Sequence, residues 1–136
     1  MNEHDYRGAA ALAGGWRRGL YPRAIPLERL RRLRAGVGIY MACDGSGRLA
    51  YVGSAVRPES RAGVADRVFQ HGVPRRGSWR EVWVIPLRDD TPRRVVLGIE
   101  GQIRDLLAPP QNIARHRPRF LEVPWARTEI TAPSRT

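Results

Sequence analysis

The chain contains no lysine: all 24 of its Lys-plus-Arg residues are arginine. That excludes a phosphate-binding loop of the lysine type, and the glycine-rich Asp44-Gly45-Ser46-Gly47 lacks both the lysine and the following helix that such a loop needs. Cysteine is represented by Cys43 alone, so no disulfide can close within the chain and no cysteine metal cluster can form. Cys43, His71 and His116 are not at metal-ligand spacing either. A single cysteine suits a reducing, cytoplasmic setting. No apolar run approaches the length of a membrane span, and the opening residues MNEHDYRGAA lack a signal-peptide pattern. The expectation is a soluble cytoplasmic protein with no membrane partner. No internal repeat is visible, and no Ser-His-Asp arrangement can be defended.

What is present is charge of one sign. Against 13 acidic residues the arginines leave a formal net charge of +11 on 136 residues, a length that suits one domain. A GC-rich coding sequence favours arginine codons, and a solvated arginine-rich surface needs no partner. Guanidinium forks, however, match phosphate oxygens in bidentate fashion, so the charge points to nucleic acid.

Residues 1–25 are rich in Ala, Gly and Arg without a sustained period and read as a loose arm, anchored by Trp16 and Tyr21. Leucines three apart after Pro26 suggest a short basic helix over 26–33. GVGIYMA and LAYVGSA, joined by CDGSGR, form a β-hairpin on the strength of the turn pairs Asp44-Gly45 and Ser46-Gly47. Between Pro58 and Gly72 the period becomes helical, and WREVWVIPL (79–87) alternates as a third strand. Apolar residues at 95, 96, 99, 103, 106 and 107 make an amphipathic helix that closes at Ala108-Pro109-Pro110. The fold class expected is α+β, a small antiparallel three-stranded sheet flanked by helices. The chain divides into a basic arm and short helix (1–35), a core (36–113) and an irregular basic tail (114–136).

Several residues within the core bear on chemistry. Gly38-Ile39-Tyr40 and Tyr51-Val52-Gly53 lie on the two hairpin arms. Arg67-Val68-Phe69-Gln70-His71 follows on a helix, then Glu100 on the amphipathic helix, then Asn112 after the double proline. In this order the segment 36–113 resembles the GIY-YIG nucleases, with the arm and tail outside the resemblance. The two tripeptides alone support a hairpin with cross-strand aromatics and little else.

Cutting a phosphodiester requires an activated nucleophile, stabilised charge on the phosphate, and a protonated or metal-bound leaving oxygen. A single carboxylate can hold a divalent cation when water fills the other positions, as magnesium permits. Glu100 is the candidate for that task; alternatively it is a solvated helix glutamate paired with Arg104. Arg67 would neutralise phosphate charge, or else pair with Asp66 as surface charge. His71, at i+4 from Arg67, would relay a proton or orient water, or else interact with the helix dipole. The resemblance implies that one tyrosine acts as general base on the attacking water. Tyr40 is taken for that role and Tyr51 for positioning, with a nearby cation needed because free tyrosine titrates near 10. Ser54, Arg57, Arg61 and Asn112 are taken as nucleic-acid-binding or supporting residues. Ser54 either contacts phosphate or caps a helix entry, and Asn112 ties down the segment after the glutamate helix.

Relatives of this type often place the helical arginine eight residues beyond the glycine of YVG, where Arg61 stands; Arg67 lies fourteen beyond. Arg61 has no histidine one turn on, so RPESRAG reads as an insertion, of the kind found in the restriction-endonuclease branch. Any lysine that relatives use near the water is missing. The function expected is a metal-dependent endonuclease hydrolysing double-stranded DNA, restriction-type, with magnesium or alternatively manganese and with a homodimer as a plausible assembly. The alternatives are a non-catalytic nucleic-acid-binding module on the same scaffold, or a repair or toxin nuclease acting on branched DNA or RNA.

Overall fold

The computed structural model describes residues 1–72 and 77–113. In place of the loose arm expected over 1–25, it begins with helix α1 (Glu3–Ala11). The Asn2 side chain accepts from the Asp5 backbone N–H while the Asp5 carboxylate accepts from that of Asn2, a reciprocal capping box. Tyr6, Ala9 and Ala10 are buried, the alanines being small enough to let the helix lie close to the sheet. The Tyr6 hydroxyl donates to the Val84 carbonyl at 2.7 Å and accepts from the Tyr21 N–H at 2.9 Å. Tyr6 is therefore the anchor of this segment, with Trp16 packed against the same core cluster and Tyr21 held through its backbone.

The sheet has four antiparallel strands: β1 (Ile25–Pro26), β2 (Val37–Cys43), β3 (Leu49–Val56) and β4 (Glu81–Pro86), in the order β1-β4-β2-β3. The three-stranded expectation lacked β1, which pairs only Ile25 with Val82 and Pro26 with Glu81. Two residues carry no alternation to read, and the proline is tolerated because β1 is an edge. The hairpin between β2 and β3 is closed by the Asp44 carboxylate, which accepts from the Ser46 and Arg48 backbone N–H groups and the Ser46 hydroxyl. Gly47, at φ 81, supplies the left-handed turn residue. The glycine-rich tip thus serves the turn.

All seven residues of β2 are buried, because both sheet faces are covered. On one face Val37, Ile39, Met41, Val52 and Ile85 pack with α1 and with α3 (Arg93–Leu107) through Val95, Val96, Ile99 and Ile103. On the other, Tyr40, Ala42, Ala55 and Val84 pack with Leu30 of the 3-10 turn Leu27–Arg32 and with Val64 and Ala65 of α2 (Gly63–Arg67). The basic helix expected over 26–33 is therefore a 3-10 segment. The helix expected from Pro58 starts only at Gly63 and widens to a π-helix over Val68–Gly72. The four-residue spacing of Arg67 and His71 consequently does not fall on a regular α repeat. α3 stops at Ala108, in the left-handed conformation (φ 47), and the short α4 (Pro110–Ile113) follows. The tail assigned to 114–136 lies outside the described residues.

Candidate active site

Strand register places the two tyrosines together. Tyr40 is paired with Gly53 and Ala42 with Tyr51, so Tyr40 and Tyr51 occupy diagonal positions on one face. Their ring centroids lie 6.2 Å apart. The Tyr40 ring lies across Gly53: a Cβ there would be 2.4 Å from the Tyr40 Cζ and hydroxyl and 2.8 Å from Tyr51 Cε2. Glycine at this position is what lets the two phenols converge. Trp79, two residues before the start of β4, stacks on Tyr51 at 5.3 Å and sits 6.0 Å from Tyr40. Its indole N–H donates to Gln111 Oε1 at 3.0 Å. Trp79 was absent from the residues singled out in the sequence, where it read only as a strand residue.

These groups border a cleft of about 410 Å³ lined by Tyr40, Tyr51, Ser54, Arg57, Arg67 and Glu100, together with Arg93 and Leu97. It wraps around β3, which has no further strand beside it among the described residues. The tyrosines approach from one sheet face, while Ser54, on alternate register, faces α3 on the other. Asn112 supports this edge: its amide oxygen accepts from the Val52 N–H at 2.6 Å and its amide nitrogen donates to the Val52 carbonyl at 2.9 Å. Asn112 thus does the work of a neighbouring strand for one residue. Arg61 is exposed and does not line the cleft. The His71 side chain lies outside what is described.

Glu100 is 8% exposed, so the solvated helix glutamate weighed above does not apply, although its pairing with Arg104 is present. Its two oxygens are divided between two donors: the Ser54 hydroxyl at 2.5 Å on Oε1, and Arg104 Nη1 on Oε2. Ser54 is thereby a strand residue bonded to the carboxylate, and the helix-entry cap considered for it is not formed. Burial pushes the Glu100 carboxyl above its ordinary range, opposed by the Ser54 hydrogen bond and by the charges of Arg104 and Arg67. Asp66 is engaged by Arg31 at 2.8 Å, while Arg67 lines the cleft. Arg57 is steadied by a 2.8 Å bond from Nη2 to Gln70 Oε1.

Among the described residues no group of three or more His, Cys, Asp or Glu side chains could enclose a metal ion. What the cleft offers is one carboxylate beside a hydroxyl, a pair of hard oxygens already engaged by protein donors, which water and phosphate oxygens would have to complete around a cation. That chemistry fits magnesium, which binds through one or two carboxylates and keeps several waters, and does not fit a closed structural site. The charged remainder of the lining is three guanidiniums, Arg57 just after β3, Arg67 of α2 and Arg93 of α3, a set of donors that matches phosphate oxygens. Arg93 and Leu97 escaped the sequence reading; both lie on the α3 face that presents Glu100, at minus seven and minus three from it, which is the signal that could have found them. No family model, no curated protein and no solved structure matches the chain.

Proposed function

We propose that the chain is a GIY-YIG-type endonuclease that hydrolyses DNA phosphodiester bonds with a divalent cation, magnesium or manganese. The observation that carries this reading is the convergence of Tyr40, Tyr51, Arg67 and Glu100, from β2, β3, α2 and α3, on one cleft. A solvated arginine-rich surface accounts for the composition but not for two phenols, a guanidinium and a buried carboxylate facing a common space.

In this reading a phosphate enters along the β3 edge and is held by Arg57, Arg67 and Arg93. Arg67 neutralises the charge that grows on the phosphate oxygens during attack, a fixed cation that needs no proton inventory. Glu100, with Ser54 beside it, would hold the divalent cation, whose chemistry there is to polarise the phosphate and stabilise the departing oxygen. Tyr40, packed against Gly53 and Trp79, orients the attacking water and acts as a phenolate: neighbouring positive charge favours release of its own proton to solvent, and the phenolate oxygen then takes the water's proton as the water attacks; Tyr51 fixes the water's approach. A single such site cuts one strand, so double-strand cleavage of the restriction type calls for a two-fold dimer or a second binding event. The reading places the enzyme in the cytoplasm, on double-stranded DNA.

One observation favours a second reading, a non-catalytic nucleic-acid-binding module: both Glu100 oxygens already have protein partners. Plasmid and oligonucleotide cleavage with Mg²⁺ or Mn²⁺ separates the two. The nuclease reading expects cutting by the wild type and loss of at least about 10²-fold in Glu100→Gln. Salt-sensitive binding of DNA and RNA with no cutting under either metal would leave only the binding module; cutting of RNA or branched DNA in preference to duplex would replace the restriction role.

A further inference from the structure

The charges around Glu100 are unbalanced for a metal site. Among the described residues it is the single carboxylate lining the cleft, against Arg57, Arg67 and Arg93, and a fourth guanidinium, Arg104, is bonded to it directly. The Arg104 and Glu100 side chains are only 13% and 10% exposed, so water screens this pair poorly. Arg104 does not line the cleft; it approaches Glu100 from its own helix, one turn on. A divalent cation arriving at the free protein would meet a carboxylate already neutralised and three further positive charges.

Resting on the nuclease reading, we propose that Arg104 is a built-in counter-cation that keeps Glu100 from holding a divalent metal until nucleic acid is bound. A phosphodiester entering among Arg57, Arg67 and Arg93 brings the negative charge that the cation needs, and adds a ligand oxygen. Metal and DNA then bind with positive coupling, and by linkage each raises the affinity of the other by the same factor. The arrangement holds hydrolytic competence in reserve until a substrate strand lies in the cleft. Arg104 acts through Glu100 and is a positioning residue.

The test is binding of Mn²⁺, followed by electron paramagnetic resonance, to full-length protein with and without a phosphorothioate DNA duplex. Wild type should bind the ion at least about tenfold more tightly in the presence of the duplex, and the duplex should gain the same factor from the ion at constant ionic strength. Arg104→Gln keeps a donor toward Glu100 but removes the charge. It should bind Mn²⁺ about tenfold more tightly than wild type without DNA, and show correspondingly weaker coupling. The part of the coupling due to direct phosphate ligation persists in the variant. Glu100→Gln should lose the ion under both conditions, which marks the site being read. Equal Mn²⁺ affinity of free wild type and folded Arg104→Gln overturns the proposal while leaving the metal site in place. Equal affinity of wild type with and without duplex overturns it even if the variant does not fold. Absence of any Glu100-dependent Mn²⁺ binding, with duplex present, overturns the metal role of Glu100 and this proposal with it.

Discussion

Gly53→Ala is the perturbation that most directly tests how the two phenols are held. The added methyl would lie 2.4 Å from the Tyr40 Cζ and hydroxyl, about 1 Å inside ordinary contact, and 2.8 Å from Tyr51 Cε2, also inside it. Tyr40 is 2% exposed and touches Trp79, so its ring cannot swing away into solvent. Overpacking of this kind costs about 1–3 kcal/mol. Against it stands about 0.4–1 kcal/mol gained from the stiffer unfolded chain, since Gly53 does not require a positive φ. The net expected loss is about 1–2 kcal/mol. Gly45→Ala is the comparison, because its Cβ would meet nothing closer than Arg80 Cγ at 3.7 Å. Urea unfolding should show Gly53→Ala less stable than Gly45→Ala, and the loss should shrink in a Tyr40→Ala background where the obstructing ring is gone. A displaced Tyr40 should also lower cutting by about 10²-fold, because misplacement by about 1 Å has that scale of effect. Wild-type stability of Gly53→Ala, or an undiminished loss in the Tyr40→Ala background, would refute the reasoning.

Arg67→Ala should reduce cleavage by at least about 10²-fold while Arg61→Ala leaves it near wild type, since only Arg67 faces the cleft; the opposite ranking in a plasmid assay would move the phosphate contact to the insertion. Asn112→Ala strips partners from the Val52 N–H and carbonyl and should cost about 1–3 kcal/mol in urea unfolding. Hydrogen exchange at the Val52 amide should accelerate accordingly, and unchanged protection there counts against the strand-like role. For Glu100, burial raises the carboxyl above its unfolded value. Protonation therefore favours the folded state, so the stability from this group is full below the unfolded value and declines as pH rises through the folded one. Unfolding midpoints of wild type relative to Glu100→Gln should fall across that window with rising pH, and a rise would reverse the assignment of burial as the dominant cause.

Much of the site was legible because its parts sit on strongly patterned elements. The alternation of GVGIYMA and LAYVGSA around an Asp-Gly turn puts Tyr40 and Tyr51 on neighbouring strands, and the helical period of 95–107 sets Glu100 on the sheet-facing side of α3. What escaped detection was the partners. Ser54 and Glu100 are 46 residues apart, and nothing in the local pattern of either announces their bond. Arg104 was visible at i+4 from Glu100, but whether the pair is solvated or buried depends on what covers α3. Trp79 looked like a strand residue and instead backs the tyrosines, because the chain enters β4 only at Glu81.

The sequence by itself determined most local elements of the core, the excess of positive charge and the arginine-only cationic composition. These follow from period, turn chemistry and composition, which act over a few residues. Only the tertiary structure decided that residues 3–11 form a helix, with Tyr6 bonded to Val84 across 78 residues, and that a two-residue strand extends the sheet. It also decided that Arg67 and not Arg61 faces Glu100's cleft, and that the carboxylate is buried against Ser54 and Arg104. Burial and charge balance are properties of the surroundings of a residue, and those surroundings exist only once distant segments have packed.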